Sequence, residues 1–341
     1  MKKIIAFLVA IFMFSNIQAF ASNIEIQPTF FSKSNAQDRL WVGSLQLVWN
    51  DFINKIVHNP VRFREGTPTI INELNRQSFT ANNISEENYY KYAGKVKNNT
   101  KKVISRNLRR KFHTSSDILD KLDLTPRNDM YLVYAMLYKD FKFVNSFDKL
   151  GHSTFGLNDI SEYFGIGENS DNRLGEGVKV LFYNDPADYA VIVDTAGNDE
   201  VFLYRNSSNK PFNYIYDDMR KKQTAFQGNK EFKKIDELKI PTITLFEEKK
   251  YEELTNRRIM GTNMVINQVL QSVKFDMNEK GVKLKDETGL TAEVTSLLPP
   301  EELVPRHFYF DDTFVIFLKE KGKSKPYFAL RVNDIKKFQK N

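Results

Sequence analysis

Residues 275–305 constrain this chain more than any other stretch. Val269, Val273 and Phe275 are apolar at even spacing, the mark of a half-buried strand. The chain then turns through Asn278, Glu279, Lys280 and Gly281. From 282 to 298 it is polar and strand-capable, with no helical stripe, and it ends on Pro299-Pro300. Another strongly apolar strand follows at 314–318. A segment of about twenty residues without a core face is uncommon inside a compact domain and is usually functional or disordered. Carried between two buried strands, it suggests a strand-forming peptide offered to a partner.

The amino terminus reads as an export signal. Lys2 and Lys3 precede an apolar run at 4–14, and Ala19-Phe20-Ala21 has the small-x-small form of a cleavage site. The run is shorter than the roughly 20 residues that span a bilayer, which favours cleavage over retention as an anchor. Removal of residues 1–21 from the 341 leaves 320, enough for one large mixed domain with a sizeable core. The chain has no cysteine, so no disulfide and no thiolate metal site is available. Its net charge of +7 falls to +5 without Lys2 and Lys3, a mild bias towards acidic partners that does not argue for nucleic acid. The expected destination is outside the cytoplasm: secreted, periplasmic or on the cell surface.

Trp41, Leu45, Val48, Phe52 and Ile56 predict a helix over 41–56. Residues 59–63 read as a short strand and 70–74 as a helical piece. Ser85-Glu86-Glu87 predicts a helix start that runs through Tyr89, Tyr92 and Val96. Lys101, Lys102, Arg106, Arg109, Arg110 and Lys111 are the densest basic cluster, with Val103, Ile104 and Leu108 as the buried side of a basic helix. This is a solvated face or a polyanion patch; no aromatic residues are interleaved as in binders of single-stranded nucleic acid. A helix is expected from Thr114 through Leu122, ended by Pro126. Residues 130–138 are almost unbroken apolar and aromatic, which predicts a strand buried on both faces and central in a sheet. Further strands are expected at 178–183, 189–194, 200–204, 240–246, 264–277, 308–310, 314–318 and 327–332, and an acidic helix start at 248–254. Helices come first and strands later, which gives α+β rather than alternating βαβ.

Enzyme chemistry finds no pattern. His58, His113, His152 and His307 are scattered. Gly165-Ile166-Gly167 lacks the rest of a phosphate loop, and no G-x-S-x-G surrounds a serine. The acidic pairs, such as Asp311-Asp312, are adjacent in sequence and point apart. No enzyme, cofactor or metal is expected.

Several blocks, in one order, resemble the serpin family. Residues 114–122, then 131–138 and Phe147-Asp148, resemble its helix, its central sheet strand and the "NAxYFKG" segment. Residues 233–246 with Tyr251 and Leu254 are similar to its "lPkf…ydL" block. Most specific is 275–282, Phe-Asp-Met-Asn-Glu-Lys-Gly-Val, which looks like the "eVNEEGT" entry to the reactive-centre loop. Residues 310–317 and 327–332 resemble the strands that follow.

The resemblance implies one domain over 22–341, with helices on a large mixed central sheet, smaller sheets and an exposed reactive-centre loop. It also implies a bait mechanism. A serine or cysteine protease cleaves the loop, whose first part then inserts as a new central strand and carries the acyl-linked protease with it. The loop hinge is then Glu279, Gly281, Val282, Leu284, Asp286 and Thr288. The scissile bond falls near Thr295-Ser296, or at Leu297 or Leu298. A monomer is expected, with a protease as partner if the protein is inhibitory.

The chain departs from the family at several points. Its hinge is charged, where the family has Thr or Ser and then alanines. Tyr134 stands where the family has Asn, Gln271 where it has His, and Phe141 or Phe143 where it has Trp. Its Ser-Pro-x-Ser is missing after the first helix, where this chain has Asn59-Pro60-Val61-Arg62. These departures keep two alternatives open: a non-inhibitory serpin-like protein that binds a protein or polyanion, and an unrelated exported enzyme or structural protein.

Overall fold

A computed structural model describes residues 24–127, 130–282 and 305–339. The chain begins with β1 (Glu25–Gln27), β2 (Arg39–Val42), α1 (Ser44–Phe52) and α2 (Thr69–Asn75). Next come β3 (Tyr89–Lys95), α3 (Thr100–Phe112), β4 (Tyr131–Leu137) and β5 (Phe141–Lys142). The middle is β6 (Asp148–Phe155), β7 (Asp159–Ile166), β8 (Val178–Asp185), β9 (Asp188–Asp194), β10 (Asp199–Arg205) and α4 (Phe212–Ala225). It closes with β11 (Glu237–Pro241), β12 (Ile243–Lys250), β13 (Leu270–Asn278), β14 (Gly281–Val282), β15 (His307–Tyr309), β16 (Phe314–Glu320) and β17 (Phe328–Val332).

The fold is α+β. The largest sheet is mixed and has seven strands in the order β1-β2-β17-β16-β10-β9-β8; only β1 and β2 run parallel. Its inner strands are buried on both faces: every residue of β17 is buried, as is most of β9 and β16. Such strands read as continuous apolar runs. Phe212, Ile215 and Met219 of α4 join the same core. A four-stranded sheet, β12-β13-β14-β5, also packs against it; Phe275 of β13 stacks on Phe328 of β17 at 4.7 Å between ring centroids. A second four-stranded sheet runs β15-β11-β7-β6. β3 and β4 form a separate two-stranded sheet, covered by α3 through Ile104, Leu108 and Phe112 against Leu132 and Tyr134.

Several local expectations change. Trp41 lies in β2, and the helix starts only at Ser44 and runs into a π-helical turn at Ile53–Val57. The helix expected from Ser85 is one 3-10 turn, Glu86–Asn88, followed by β3. Tyr89, Lys91 and Ala93 alternate with Tyr90, Tyr92 and Gly94, which is strand rather than helix periodicity. Residues 114–122 form no helix, and 59–63 contributes a single bridge, Phe63 to Ile259. The acidic segment 248–254 finishes β12 and makes only the 3-10 turn Glu252–Leu254. The expected strand at 264–277 begins only at Leu270.

Candidate functional site

The run at 130–138 is not a central strand. It is β4, and among the described residues it pairs only with β3. Its other edge faces β13, which pairs with β12 along Leu270 to Met277 and, among the described residues, with β14 only at Met277 and Asn278. Between the two unpaired edges lies a cleft of about 980 Å³. Its floor is α1, with Ser44, Leu45 and Trp49, and residues 114–118 also line it. The edges converge at one end. There β14 lies between β13 and β5, with Val282 opposite Met277 on one side and Phe141 on the other. β5 follows β4 after only Tyr138, Lys139 and Asp140. The cleft therefore widens away from a point where one strand already fills the space between its walls. Unpaired strand edges are templates for adding a strand.

The entry turn is built for close approach. Gly281 has φ +147, and a Cβ there would sit 2.4 Å from the Phe141 carbonyl oxygen. Only glycine fits without moving backbone. Asn278 accepts from the Lys280 amide across the turn at 3.0 Å, and Glu279 pairs with Lys149 at 3.7 Å. Val282 is 4% exposed and belongs to the main core.

Beneath β13, Gln271 is buried. Its Oε1 accepts from the Tyr251 hydroxyl at 2.7 Å and its Nε2 donates to Ser44 Oγ at 3.1 Å. Ser44, at the start of α1, thus ties the floor of the cleft to β13. Tyr134 faces the other way. Its hydroxyl meets Ser116 Oγ at 3.1 Å on the α3 side, and burial pushes it up to about 12. Ala135 and Leu137 pack against the main core instead. Strand side chains alternate, which puts Tyr134 and its neighbour Ala135 on opposite faces of β4. Phe141 and Phe143 are both buried, and Phe143 packs on Phe147 at 5.2 Å.

At the closed end stands a buried charge network that the sequence reading missed. Asp199 and Glu320 are direct partners across β10 and β16, a like-charge pairing that is unfavourable alone. Lys139 lies against both, at 2.9 Å from Asp199 and 2.7 Å from Glu320. Glu320 is fully buried and also accepts from the Ser85 amide and hydroxyl and from Asn88 Nδ2. Burial alone would raise its carboxyl, but the hydrogen bonds from Lys139 and Ser85 outweigh it and hold it below the usual range. For Asp199 burial prevails and its carboxyl is raised, despite Lys139 and the Tyr327 hydroxyl. The network ties the start of β3 and the end of β4 to the seven-stranded sheet. A lone lysine directly after an apolar run was the only sequence signal for it.

Glu279, Gly281 and Val282 are thus placed at the cleft's closed end. Leu284, Asp286, Thr288, Thr295, Ser296, Leu297 and Leu298 lie outside the described residues, as do 1–23. All six basic residues singled out lie on α3. No helix among the described residues is long and apolar enough to cross a membrane, and no group of three or more His, Asp or Glu there is placed to hold a metal.

No family model matches the chain, and no curated protein does. The solved structures it is similar to are serpins. One is Serpin48, described as a highly specific serpin in the insect Tenebrio molitor, at 14% identity over 89% of this chain and 94% of that one, with a TM-score of 0.46. Another is thyroxine-binding globulin in complex with thyroxine, at 11% identity over 74% and 77% of the two chains, with a TM-score of 0.42. A third is mouse protein-Z dependent protease inhibitor, at 14% identity over 68% and 62%, with a TM-score of 0.42.

Proposed function

We propose that this chain is an exported serpin-like protein, one domain over 22–341 behind a cleaved signal at 1–21. In this reading residues 282–298 are bait for a serine or cysteine protease, and the protein is not an enzyme. One observation carries the reading: two strand edges without a partner among the described residues face each other across a cleft, and the strand that leads into the bait segment already occupies its closed end.

Cleavage near 295–298 frees the first part of the segment from its far anchor. That anchor is Arg306, which binds buried Asp236 at 2.6 Å before β15 starts. The freed strand then extends β14 along the cleft. Seven residues of β4 at about 3.3 Å each give an edge of about 23 Å to pair with. In the register of β14, Leu284 falls between Phe275 and Lys139, Asp286 between Val273 and Leu137, and Thr288 between Gln271 and Ala135. Val282 faces the core, and strand alternation turns these three the same way.

A second reading is favoured by one of those placements. Asp286 would enter between two apolar side chains. A hinge that resists insertion suits a non-inhibitory serpin-like protein that binds a protein or polyanion.

The test is incubation with trypsin-, chymotrypsin- and subtilisin-like proteases, read on denaturing gels and by residual protease activity. A covalent complex that survives SDS is expected. Cleavage within 282–298 with full protease activity retained, for every protease tried, overturns the inhibitory reading.

A further inference from the structure

Beside the closed end of the cleft, an amine and two carboxyl groups are held in reacting positions. Lys139 lies just past the end of β4, Asp199 begins β10 and Glu320 ends β16. Lys139 Nζ is 2.9 and 3.2 Å from the two carboxyl oxygens of Asp199 and 2.7 Å from Glu320 Oε1. Reacting groups held about 3–3.5 Å apart are close to the geometry of attack. The three side chains are only 7%, 8% and 0% exposed. Lysines beside other buried acids keep contact with water: Lys91 at Asp51 is 21% exposed and Lys337 at Asp38 is 28% exposed.

The two carboxyl groups are not equivalent. The Tyr327 hydroxyl donates to Asp199 Oδ1 at 2.9 Å, which draws electron density from the carboxyl carbon. Burial raises the Asp199 carboxyl and favours its uncharged form, the form an amine attacks. Glu320, although buried, is held below the usual range by hydrogen bonds from Lys139 and Ser85 and stays a carboxylate, able to take a proton. Charges buried this deeply are costly, and a product without charge removes them.

We propose that Lys139 and Asp199 join through an amide between their side chains, made by the folded protein on itself with Glu320 as proton carrier. Glu320 takes a proton from the Lys139 ammonium. The freed amine attacks Asp199 Cγ, and the Nζ–Cγ bond forms. A second amine proton passes through Glu320 to the departing hydroxyl, the Cγ–O bond breaks, and one water leaves. Ammonium, carboxylic acid and carboxylate thus become amide, water and a protonated Glu320. Atoms and charge balance, and nothing is oxidised or reduced. Burial keeps water from reversing the step. In a chain without cysteine, the bond braces the β4–β5 connection against the seven-stranded sheet across 60 positions of sequence. It does not depend on the bait reading.

The experiment is mass spectrometry of the purified protein after denaturation and tryptic digestion. A branched fragment carrying Lys139 and Asp199 is expected, uncut after Lys139 and lighter than its two parts by one water, about 18 Da. Lys139→Arg keeps the charge but should lack the fragment. Glu320→Gln keeps an oxygen for Ser85 but cannot take the ammonium proton, and should form the link about 100-fold more slowly. Melting temperature checks that both variants fold. Unlinked fragments alone from the parent protein overturn the proposal, whatever the variants do. A fragment joining Lys139 to Glu320 overturns the assignment to Asp199. Linkage at the parent rate in folded Glu320→Gln overturns the proton-carrier role.

Discussion

Asp286→Ala tests how the hinge meets the cleft. In the register set by β14, residue 286 enters between Val273 and Leu137, and Val273 is 7% exposed. Lys139, opposite residue 284 in that register, is already engaged by Asp199 and Glu320. A carboxyl with an ordinary pKa near 3.9 enters such a place by taking up a proton, which at pH 7 costs about 4 kcal/mol at 1.36 kcal/mol per unit. The alanine variant avoids that cost. A chain of this size has an unfolding entropy of about 0.7 kcal/mol/K, so the loop-cleaved variant should melt about 6 °C above the cleaved parent at pH 7. The uncleaved pair should differ little. The inserted carboxyl has a raised pKa, so it binds more protons inserted than unfolded. Its penalty is absent below about pH 4 and grows as pH rises above that value. The advantage should therefore shrink to near zero at pH 4. Calorimetry of cleaved and uncleaved samples at both pH values is the assay. An equal gain at both pH values, or none at pH 7, refutes the placement.

Three further perturbations follow from the described residues. Lys139→Met leaves Asp199 and Glu320 buried side by side and should cost about 3–5 kcal/mol at pH 7 by chemical denaturation, with a smaller loss at pH 5 where a carboxyl can protonate; a loss under 1 kcal/mol contradicts the network. Gly281→Ala forces a Cβ against the Phe141 carbonyl at a backbone angle that favours glycine. It should lower the melting temperature by a few degrees, at about 1–3 kcal/mol, and an unchanged melting point contradicts the β14–β5 contact. Burial pushes the Glu247 carboxyl up to about 7, so its folded form resists ionisation and native stability falls as pH rises from about 4.5 to 7. Glu247→Gln should raise the melting temperature at pH 8 and leave it unchanged at pH 4; the same shift at both contradicts the assignment.

The strands were legible where burial was two-sided. The apolar runs at 314–318 and 327–332 correspond to β16 and β17, the buried middle of the largest sheet. Periodicity failed where side chains of both faces are half-buried. In β3 every residue but the last is intermediate, so Tyr and Val at helical spacing passed for a helix stripe. The apolar run at 130–138 predicts a strand buried on both faces, but only Leu132 and Tyr134 of β4 are buried and the rest are half-buried, because among the described residues a cleft stands where a second neighbouring strand would be. The entry turn at 278–281 was legible because Asn and Gly are required there by geometry. The charge network was not, since Lys139, Asp199 and Glu320 are far apart in sequence and meet only when two sheets pack.

Amide hydrogen exchange on the inner edges of β4 and β13 addresses strand insertion most directly. In the intact protein the amides of β4 and β13 that point into the cleft lack a partner among the described residues and should exchange fast. After cleavage within 282–298, the account predicts strong new protection along Tyr131–Leu137 and along β13 from Leu270 onward. Cleavage that leaves exchange on both edges unchanged would contradict it.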